Sequence, residues 1–234
     1  GDQDLFKAGT EPFVHVYENA GGNRMIDRGR LTSDGEPFLL PHDGNNRSWA
    51  SVEFCDWDGD GDQDLFVHSP TGPYSGHVVR FENTTPPGGA PSFAERGPLL
   101  TASGKGLGSP VSFVDWDADG RIDVLGGRDW VVTLYRNTGA SRRIQDMQLA
   151  DGVYIKANGV EIRVGSPRID PKDIDADGDL DLFIGTEEGR IYFFENVGSR
   201  AEPVFTMGRL VAFHEYMDHR AGVSGAHFDE DARR

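Results

Sequence analysis

The chain contains 234 residues, 37% of them hydrophobic, and its formal net charge at pH 7 is −16. This length provides a sizeable hydrophobic core for one or two domains. So large an acidic excess argues against nucleic acid or an anionic membrane surface as a partner, and no apolar run is long enough for direct membrane insertion.

The chain begins in the middle of a sequence repeat. Residues 1–6 read Gly-Asp-Gln-Asp-Leu-Phe, and the same six letters recur at residues 61–66. At the later position they form the second half of a longer acidic motif. The first copy therefore lacks the first half of that motif.

The first complete copy, at residues 56–64, reads Asp-Trp-Asp-Gly-Asp-Gly-Asp-Gln-Asp. Carboxylates at positions 1, 3, 5 and 9 of a tight loop, with glycine at position 6 where the backbone must turn, can surround one hard cation with oxygen ligands. The helix–loop–helix version of such a loop has Glu at position 12, but here an apolar, β-favouring run follows. The pattern predicts a calcium loop between two strands, although one copy alone would fit a solvated acidic turn better.

Two further complete copies, at residues 115–123 and 173–181, keep all four carboxylates and the glycine. The first aspartates stand at 56, 115 and 173, so the motif recurs after 59 and 58 residues, which is typical of a repeat protein. The sequence therefore predicts three Ca²⁺ sites, with position 7 included in each ligand set. The predicted metal residues are Asp56, Asp58, Asp60, Asp62 and Asp64, then Asp115, Asp117, Asp119, Arg121 and Asp123, and finally Asp173, Asp175, Asp177, Asp179 and Asp181.

Each repeat predicts four strands, A to D, with strand A before the acidic loop, B after it, C ending in an aromatic-x-Asn triplet, and D in the variable run that follows. Strand A is predicted at 49–54, 111–114 and 167–170, and an extra hairpin is predicted within 146–163 about the turn Asn158-Gly159. Four antiparallel strands make one propeller blade. Frequent Gly and Pro leave no window long enough for a helix.

The acidic motif, together with the triplets at 17–19, 81–83, 135–137 and 194–196, resembles the FG-GAP or VCBS repeat family. The resemblance covers the whole chain. It implies an all-β fold, a β-propeller of four-stranded antiparallel blades with calcium-binding A–B loops, as in integrin heads and many secreted bacterial proteins. Residues 1–234 are thus predicted to form a single array of about four repeats of 56–60 residues.

The chain end resembles a degenerate first half of the motif, with Arg233 and Arg234 in place of the third aspartate and the glycine. Strands B, C and D at the start and strand A at the end leave two alternatives. Four blades close as a small propeller through a composite blade, or the chain is a piece of a seven- or eight-bladed ring. The half-motifs at the two ends do not join in the register of the intact loops, which favours a piece of a larger ring. The exposed edge of such a piece would be covered by self-association or by the missing blades.

Calcium would account for much of the acidity, because three Ca²⁺ ions would bring the net charge from −16 to −10. Loops of weak affinity fill only at about millimolar calcium, which favours an extracellular, periplasmic or cell-surface location. The single cysteine, Cys55, excludes an internal disulfide. Its place beside Phe54 in an apolar strand predicts a buried structural thiol rather than a nucleophile.

In a propeller the B–C and D–A loops lie on the face opposite the A–B loops. Five of the seven histidines map to that face: His42, His68, His77, His214 and His219, accompanied by Arg47, Tyr74, Arg128, Trp130, Tyr216 and Arg220. Either polar residues simply occupy loops, or the face binds anions or sugars through aromatic stacking and arginine. The predicted function is a calcium-stabilised recognition or scaffold module for a glycan or protein ligand.

An enzyme is the alternative. Some secreted propellers that are similar to this family are polysaccharide lyases, in which His and Tyr act as base and acid and Arg neutralises the uronate carboxylate. The resemblance is architectural, because no lyase motif can be matched to this chain. In that alternative His42, Arg47, His68 and Tyr74 would form the catalytic site.

Overall fold

The computed structural model describes residues 3–42, 48, 50–70, 76–107, 110–140, 148–213 and 227–228. Within these ranges the chain consists of β-strands, turns and loops, and four antiparallel sheets follow one another as the blades of a β-propeller. The predicted all-β, β-propeller fold class is confirmed. No helix in the described residues has the length and apolarity needed to cross a bilayer.

The chain divides into two compact units, of which the first comprises residues 1–100 and 143–145. Its first blade contains β1 (Leu5–Lys7), β2 (His15–Asn19) and β3 (Met25–Arg30), and a hairpin of β4 (Thr32–Ser33) and β5 (Glu36–Pro37) follows. Its second blade contains β6 (Ser51–Cys55), β7 (Asp64–Ser69), β8 (His77–Asn83) and β9 (Phe93–Pro98). Each strand of a blade pairs antiparallel with the next along the chain.

The second unit comprises residues 101–142 and 146–234. Its first blade contains β10 (Val111–Val114), β11 (Asp123–Arg128), β12 (Val131–Tyr135) and β13 (Val153–Tyr154), followed by a hairpin of β14 (Lys156–Ala157) and β15 (Val160–Glu161). Its second blade contains β16 (Arg168–Lys172), β17 (Asp181–Gly185), β18 (Arg190–Phe194) and β19 (Arg209–Phe213). A fifth strand, β20 (His227–Phe228), pairs with β19.

In the three blades with a complete acidic motif, strand B begins with a short apolar run without alternation, because both of its faces are largely buried. In β7, Leu65, Phe66 and Val67 are each 0–1% exposed, and in β17 Leu182 and Ile184 are fully buried. Each buried side chain of this size contributes about 1.5–3 kcal/mol to the free energy of unfolding. Residues of the B strands thus contribute to the hydrophobic core of each unit.

The predicted strands occur where the sequence placed them, with small shifts at their ends. Strand A begins one or two residues later than predicted in β6 and β16, and β10 has the predicted bounds. The predicted extra hairpin is present, and Asn158 and Gly159 both have positive φ, 47° and 79°, as its tight turn requires.

The segment before the degenerate half-motif forms β20 on the outer edge of the last blade, and the half-motif itself, residues 229–234, lies outside the described residues. The choice between a closed four-bladed ring and a piece of a larger one stays a prediction.

Truncating a B strand should destabilise the blade that contains it. We expect Leu182→Ala to lower the free energy of unfolding by about 2–5 kcal/mol, because the fully buried side chain leaves a cavity. Val197→Ala, at a side chain that is 59% exposed, should change it by less than about 0.5 kcal/mol. Urea denaturation followed by tryptophan fluorescence measures both, and equal effects would contradict the assignment of β17 to the core.

Candidate metal sites

The three acidic motifs form the A–B loops of three blades. We call residues 56–64 the first loop, 115–123 the second loop and 173–181 the third loop; they connect β6 to β7, β10 to β11 and β16 to β17. Positions 4 and 6 have positive φ in every loop: Gly59 (75°) and Gly61 (96°), Ala118 (60°) and Gly120 (79°), Ala176 (63°) and Gly178 (96°). The turn at position 6 was predicted. The second turn at position 4 was missed, because only Gly59 signals it, whereas Ala118 and Ala176 carry a Cβ that disfavours positive φ.

Carboxylate oxygens gather in each loop. Three residues per loop offer one oxygen each, and these oxygens lie within 4.8 Å of one another. The groups are Asp56, Asp58 and Asp60, then Asp115, Asp117 and Asp123, and finally Asp173, Asp175 and Asp177. A donor set made only of oxygens suits a hard divalent cation such as Ca²⁺ and does not suit zinc, which prefers nitrogen and sulfur.

Several carboxylate oxygens of the loops are buried without a hydrogen-bond donor. They are the Oδ1 atoms of Asp58, Asp62, Asp115 and Asp117, in the first and second loops. A buried carboxylate oxygen without a donor costs free energy unless a cation compensates it. The residues therefore fit a bound cation in these two loops. In the third loop the three grouped aspartates are exposed to solvent.

The aspartate at position 9 accepts two backbone hydrogen bonds. In the first loop, the N–H of Trp57 donates to Oδ2 of Asp64 at 3.2 Å, and the N–H of Asn83 donates to Oδ1 at 2.8 Å. The other loops have the same two bonds, from Trp116 and Asn137 to Asp123 and from Ile174 and Asn196 to Asp181. These three aspartates are only 1–2% exposed. The carboxylate thus joins the start of the loop, the start of strand B and the end of strand C.

This contact explains the aromatic-x-Asn triplet. In every copy the Asn side-chain oxygen accepts the backbone N–H two residues later, at 3.0–3.1 Å, so that strand C ends in a turn. The first blade keeps the contact although it lacks a complete loop, because the N–H of Asn19 donates to Asp4 at 2.9 Å. Sequence reasoning used the triplet only to mark the end of a strand.

Burial disfavours the ionised form of several loop carboxylates. Burial raises the pKa of Asp64 and of Asp123 to about 6, and their backbone N–H donors offset this only in part. Burial, followed by the charge of neighbouring aspartates, also raises the pKa of Asp58, Asp62 and Asp179. A nearby cation would favour the ionised carboxylates and oppose these shifts.

Cys55 ends strand β6 directly before the first loop. Burial, followed by the charge of Asp64 and Asp56, raises the pKa of its thiol to about 12. The thiol is therefore protonated at neutral pH, which suits a structural residue and not a nucleophile.

Few of the residues predicted for the ligand-binding face are described. His42 is exposed, while His68 and His77 are half-buried on β7 and β8. Arg47, Tyr74, His214, Tyr216, His219, Arg220 and the side chain of Arg128 lie outside the described residues. Two of the four residues of the lyase alternative are in that set, so this alternative stays a prediction.

Trp130, by contrast, is fully described and 66% exposed. It forms the two-residue turn between β11 and β12 with Asp129, and both residues have positive φ, 51° and 65°. Such turns favour Asn-Gly, and a bulky residue with positive φ is uncommon. Beside this turn is a polar cavity of about 210 Å³ that sequence reasoning missed; it is lined by Lys105, Asp129, Thr133, Asp151, Gly152 and Tyr154.

No protein-family model and no curated protein matches this chain. The likeness to FG-GAP and VCBS repeats rests on the motifs themselves.

The buried aspartate at position 9 should stabilise the blade even without metal. We expect Asp64→Asn to lower the free energy of unfolding by about 1–3 kcal/mol in excess chelator, because the amide can accept only one of the two backbone hydrogen bonds. Asp60→Asn is the matched control, since an amide can still accept the single bond from the N–H of Asp62. Urea denaturation measures both variants, and an unchanged stability for Asp64→Asn would contradict this role.

Proposed function

We propose that this protein is a calcium-stabilised, secreted β-propeller module that recognises a glycan or protein ligand. One observation carries the proposal: three all-oxygen carboxylate clusters occupy equivalent positions in three blades, and two of the loops contain buried oxygens without a donor. Repetition at the same place in the fold indicates a structural ion more than an active site.

The chain's own residues would hold one ion in each loop. The aspartates at positions 1, 3 and 5 supply oxygens in the first and third loops, and those at positions 1, 3 and 9 do so in the second. When bound, the ion supplies the positive charge that these carboxylates lack. Without it, their mutual repulsion opposes the A–B connection of the blade.

The stabilisation from three ions is large on the scale of a domain. A ligand that binds only the folded protein stabilises it by about 2.7 kcal/mol when its free concentration is 100-fold above the dissociation constant. Three such sites compare with about 5–15 kcal/mol for the whole stability of a typical domain. Loops of low affinity would fill reliably only outside the cytosol, where calcium is plentiful, and this supports secretion.

The turn at Trp130 supports ligand recognition. An exposed indole offers a flat surface on which a sugar ring can stack, and the cavity beside it supplies hydroxyl, ammonium and carboxylate groups. Asp151 is ionised there, because hydrogen bonds from Ser103 and Thr101 lower its pKa. An aromatic platform next to a few polar groups favours a glycan over an apolar ligand.

Calcium removal should destabilise the protein. We expect three bound ions at saturating calcium and a lower melting temperature in chelator. Asp58→Ala, Asp117→Ala and Asp175→Ala should each remove one ion, because each deletes an oxygen of one cluster. Glu36→Ala, which removes an exposed carboxylate on β5, is the control and should remove none.

Native mass spectrometry counts the ions, and calorimetry with and without chelator gives the melting temperatures. No bound calcium, together with a melting temperature that chelator does not change, would show that the three loops are ordinary acidic turns.

Ligand binding should depend on Trp130. We expect Trp130→Ala to weaken binding about tenfold or more to whichever oligosaccharide on an array of neutral, uronic-acid and amino-sugar glycans binds the wild type. The melting temperature should not change, because the side chain is exposed. Val160→Ala, at another exposed apolar side chain of the same unit, should bind like the wild type. Glycan binding that survives Trp130→Ala would exclude this turn as the site.

A further inference from the structure

The three loops share one motif but differ in charge at two places. Position 7 is Asp in the first and third loops and Arg121 in the second. The middle residue of the aromatic-x-Asn triplet that contacts each loop is Glu82 in the first blade with a complete loop, Arg136 in the next and Glu195 in the last. Both differences add positive charge to the second loop alone.

The two arginines contact the carboxylates of the second loop. Nη1 of Arg136 forms an ion pair with Oδ2 of Asp117, and Nη2 of Arg121 forms an ion pair with Oδ2 of Asp119. The Nε of Arg121 also donates to the backbone carbonyl of Asn137 at 3.0 Å, which anchors the loop to the end of strand C.

A third arginine reaches the same loop from the neighbouring blade of the same unit. Nη2 of Arg200, in the turn between β18 and β19, donates to the backbone carbonyl of Asp115. Three guanidinium groups therefore contact the second loop. Arginine suits this position because its planar head forms several hydrogen bonds and stays charged at any physiological pH.

In the blade of the first loop, the residue equivalent to Arg136 has the opposite charge. Glu82 forms an ion pair with Arg96 on β9. Burial, then the charge of Asp60 and then that of Glu82, raises the pKa of Asp58, so Glu82 is close enough to add negative charge to the loop.

In the third loop, within the described part of the chain, no Lys or Arg forms an ion pair with the carboxylates of residues 173–181. Five aspartates and the triplet glutamate, Glu82 or Glu195, give the first and third loops, each counted with its triplet, a formal charge of −6. Four aspartates, Arg121 and Arg136 give the second loop and its triplet a formal charge of −2.

We propose that arginine takes the place of metal in the second loop. The loop keeps its native conformation without calcium, and it binds calcium more weakly than the other two loops. An incoming ion must displace Arg136 from Asp117 and then remain beside a guanidinium group, although Oδ1 of Asp115 and Oδ1 of Asp117 still offer it two oxygens. The calcium affinity of such loops depends on the number of charged ligands. The inference rests on the proposed calcium binding.

The first test is a calcium titration by isothermal calorimetry on the full chain. The wild type should show two tighter sites and one that is about tenfold or more weaker. Arg136→Glu, which restores the residue found in the other triplets, should tighten the weak site by about tenfold or more. Arg168→Glu makes the same charge change at the far end of β16, about 16 Å along the strand from the third loop, and should leave all three affinities unchanged.

The second test follows hydrogen exchange of the loop amides in excess chelator. In the wild type, the amides of Trp116 and Gly120, which donate to aspartates of the second loop, should stay protected, while those of Trp57 and Gly178 should exchange faster than in calcium. Arg136→Glu should remove the protection of the second loop in chelator only.

The reciprocal variant Glu82→Arg keeps the inference testable if Arg136→Glu does not fold. It should weaken one of the two tighter sites and protect the first loop in chelator. Three sites of equal affinity in the wild type, or loop protection in chelator that neither variant changes, would overturn the inference and leave the proposed function intact. The absence of any calcium binding would overturn the proposed function itself.

Discussion

A buried aspartate at the end of each acidic loop is the contact on which the blade depends. Burying a carboxylate is unfavourable unless donors surround it. Here two backbone N–H groups do so, one from the second residue of the loop and one from the Asn that ends strand C. Asp4 makes the second of these bonds in the first blade. The loop conformation is therefore fixed by backbone hydrogen bonds within the blade.

A loop held in this way brings carboxylates together that repel one another. Backbone hydrogen bonds therefore hold each loop in a conformation that carboxylate repulsion opposes. The three loops differ in what reduces this repulsion. In the second loop, arginines of the chain contact the carboxylates. In the third loop, the grouped aspartates face solvent, which screens their repulsion. The first loop has buried oxygens and no such arginine contact among the described residues. A bound cation would therefore stabilise this loop the most.

The residue at position 2 contributes to this difference. Trp57 and Trp116 are 4% and 1% exposed, and their rings contact Phe66 and Phe205 at centroid distances of 4.9 and 6.2 Å. Ile174 at the same position is 50% exposed. A buried indole draws the start of its loop into the core and desolvates the neighbouring carboxylates. The first three residues of the pattern are thus buried or half-buried in two blades and exposed in the third.

Much of the architecture follows from local sequence. The acidic motif, its period, the apolar B strands and the Asn158-Gly159 hairpin were all predicted correctly in place, because each depends on residues close together in the chain. Left-handed turns favour Gly or Asn at fixed positions, and an apolar run of four or five residues has few alternatives to a buried strand. The three candidate metal clusters were located for the same reason.

Only the tertiary structure decided what each charged residue contacts. Asp64 reaches an N–H that lies 19 residues away, and Arg136 meets a carboxylate from the opposite end of a hairpin, so neither partner can be inferred from spacing. The sequence presents three copies of one motif, whereas burial makes the first and second loops differ from the third. The cavity beside Trp130 likewise forms from three separate segments. Burial and charge pairing depend on which strands pack over a loop. The sequence of the motif does not indicate that packing.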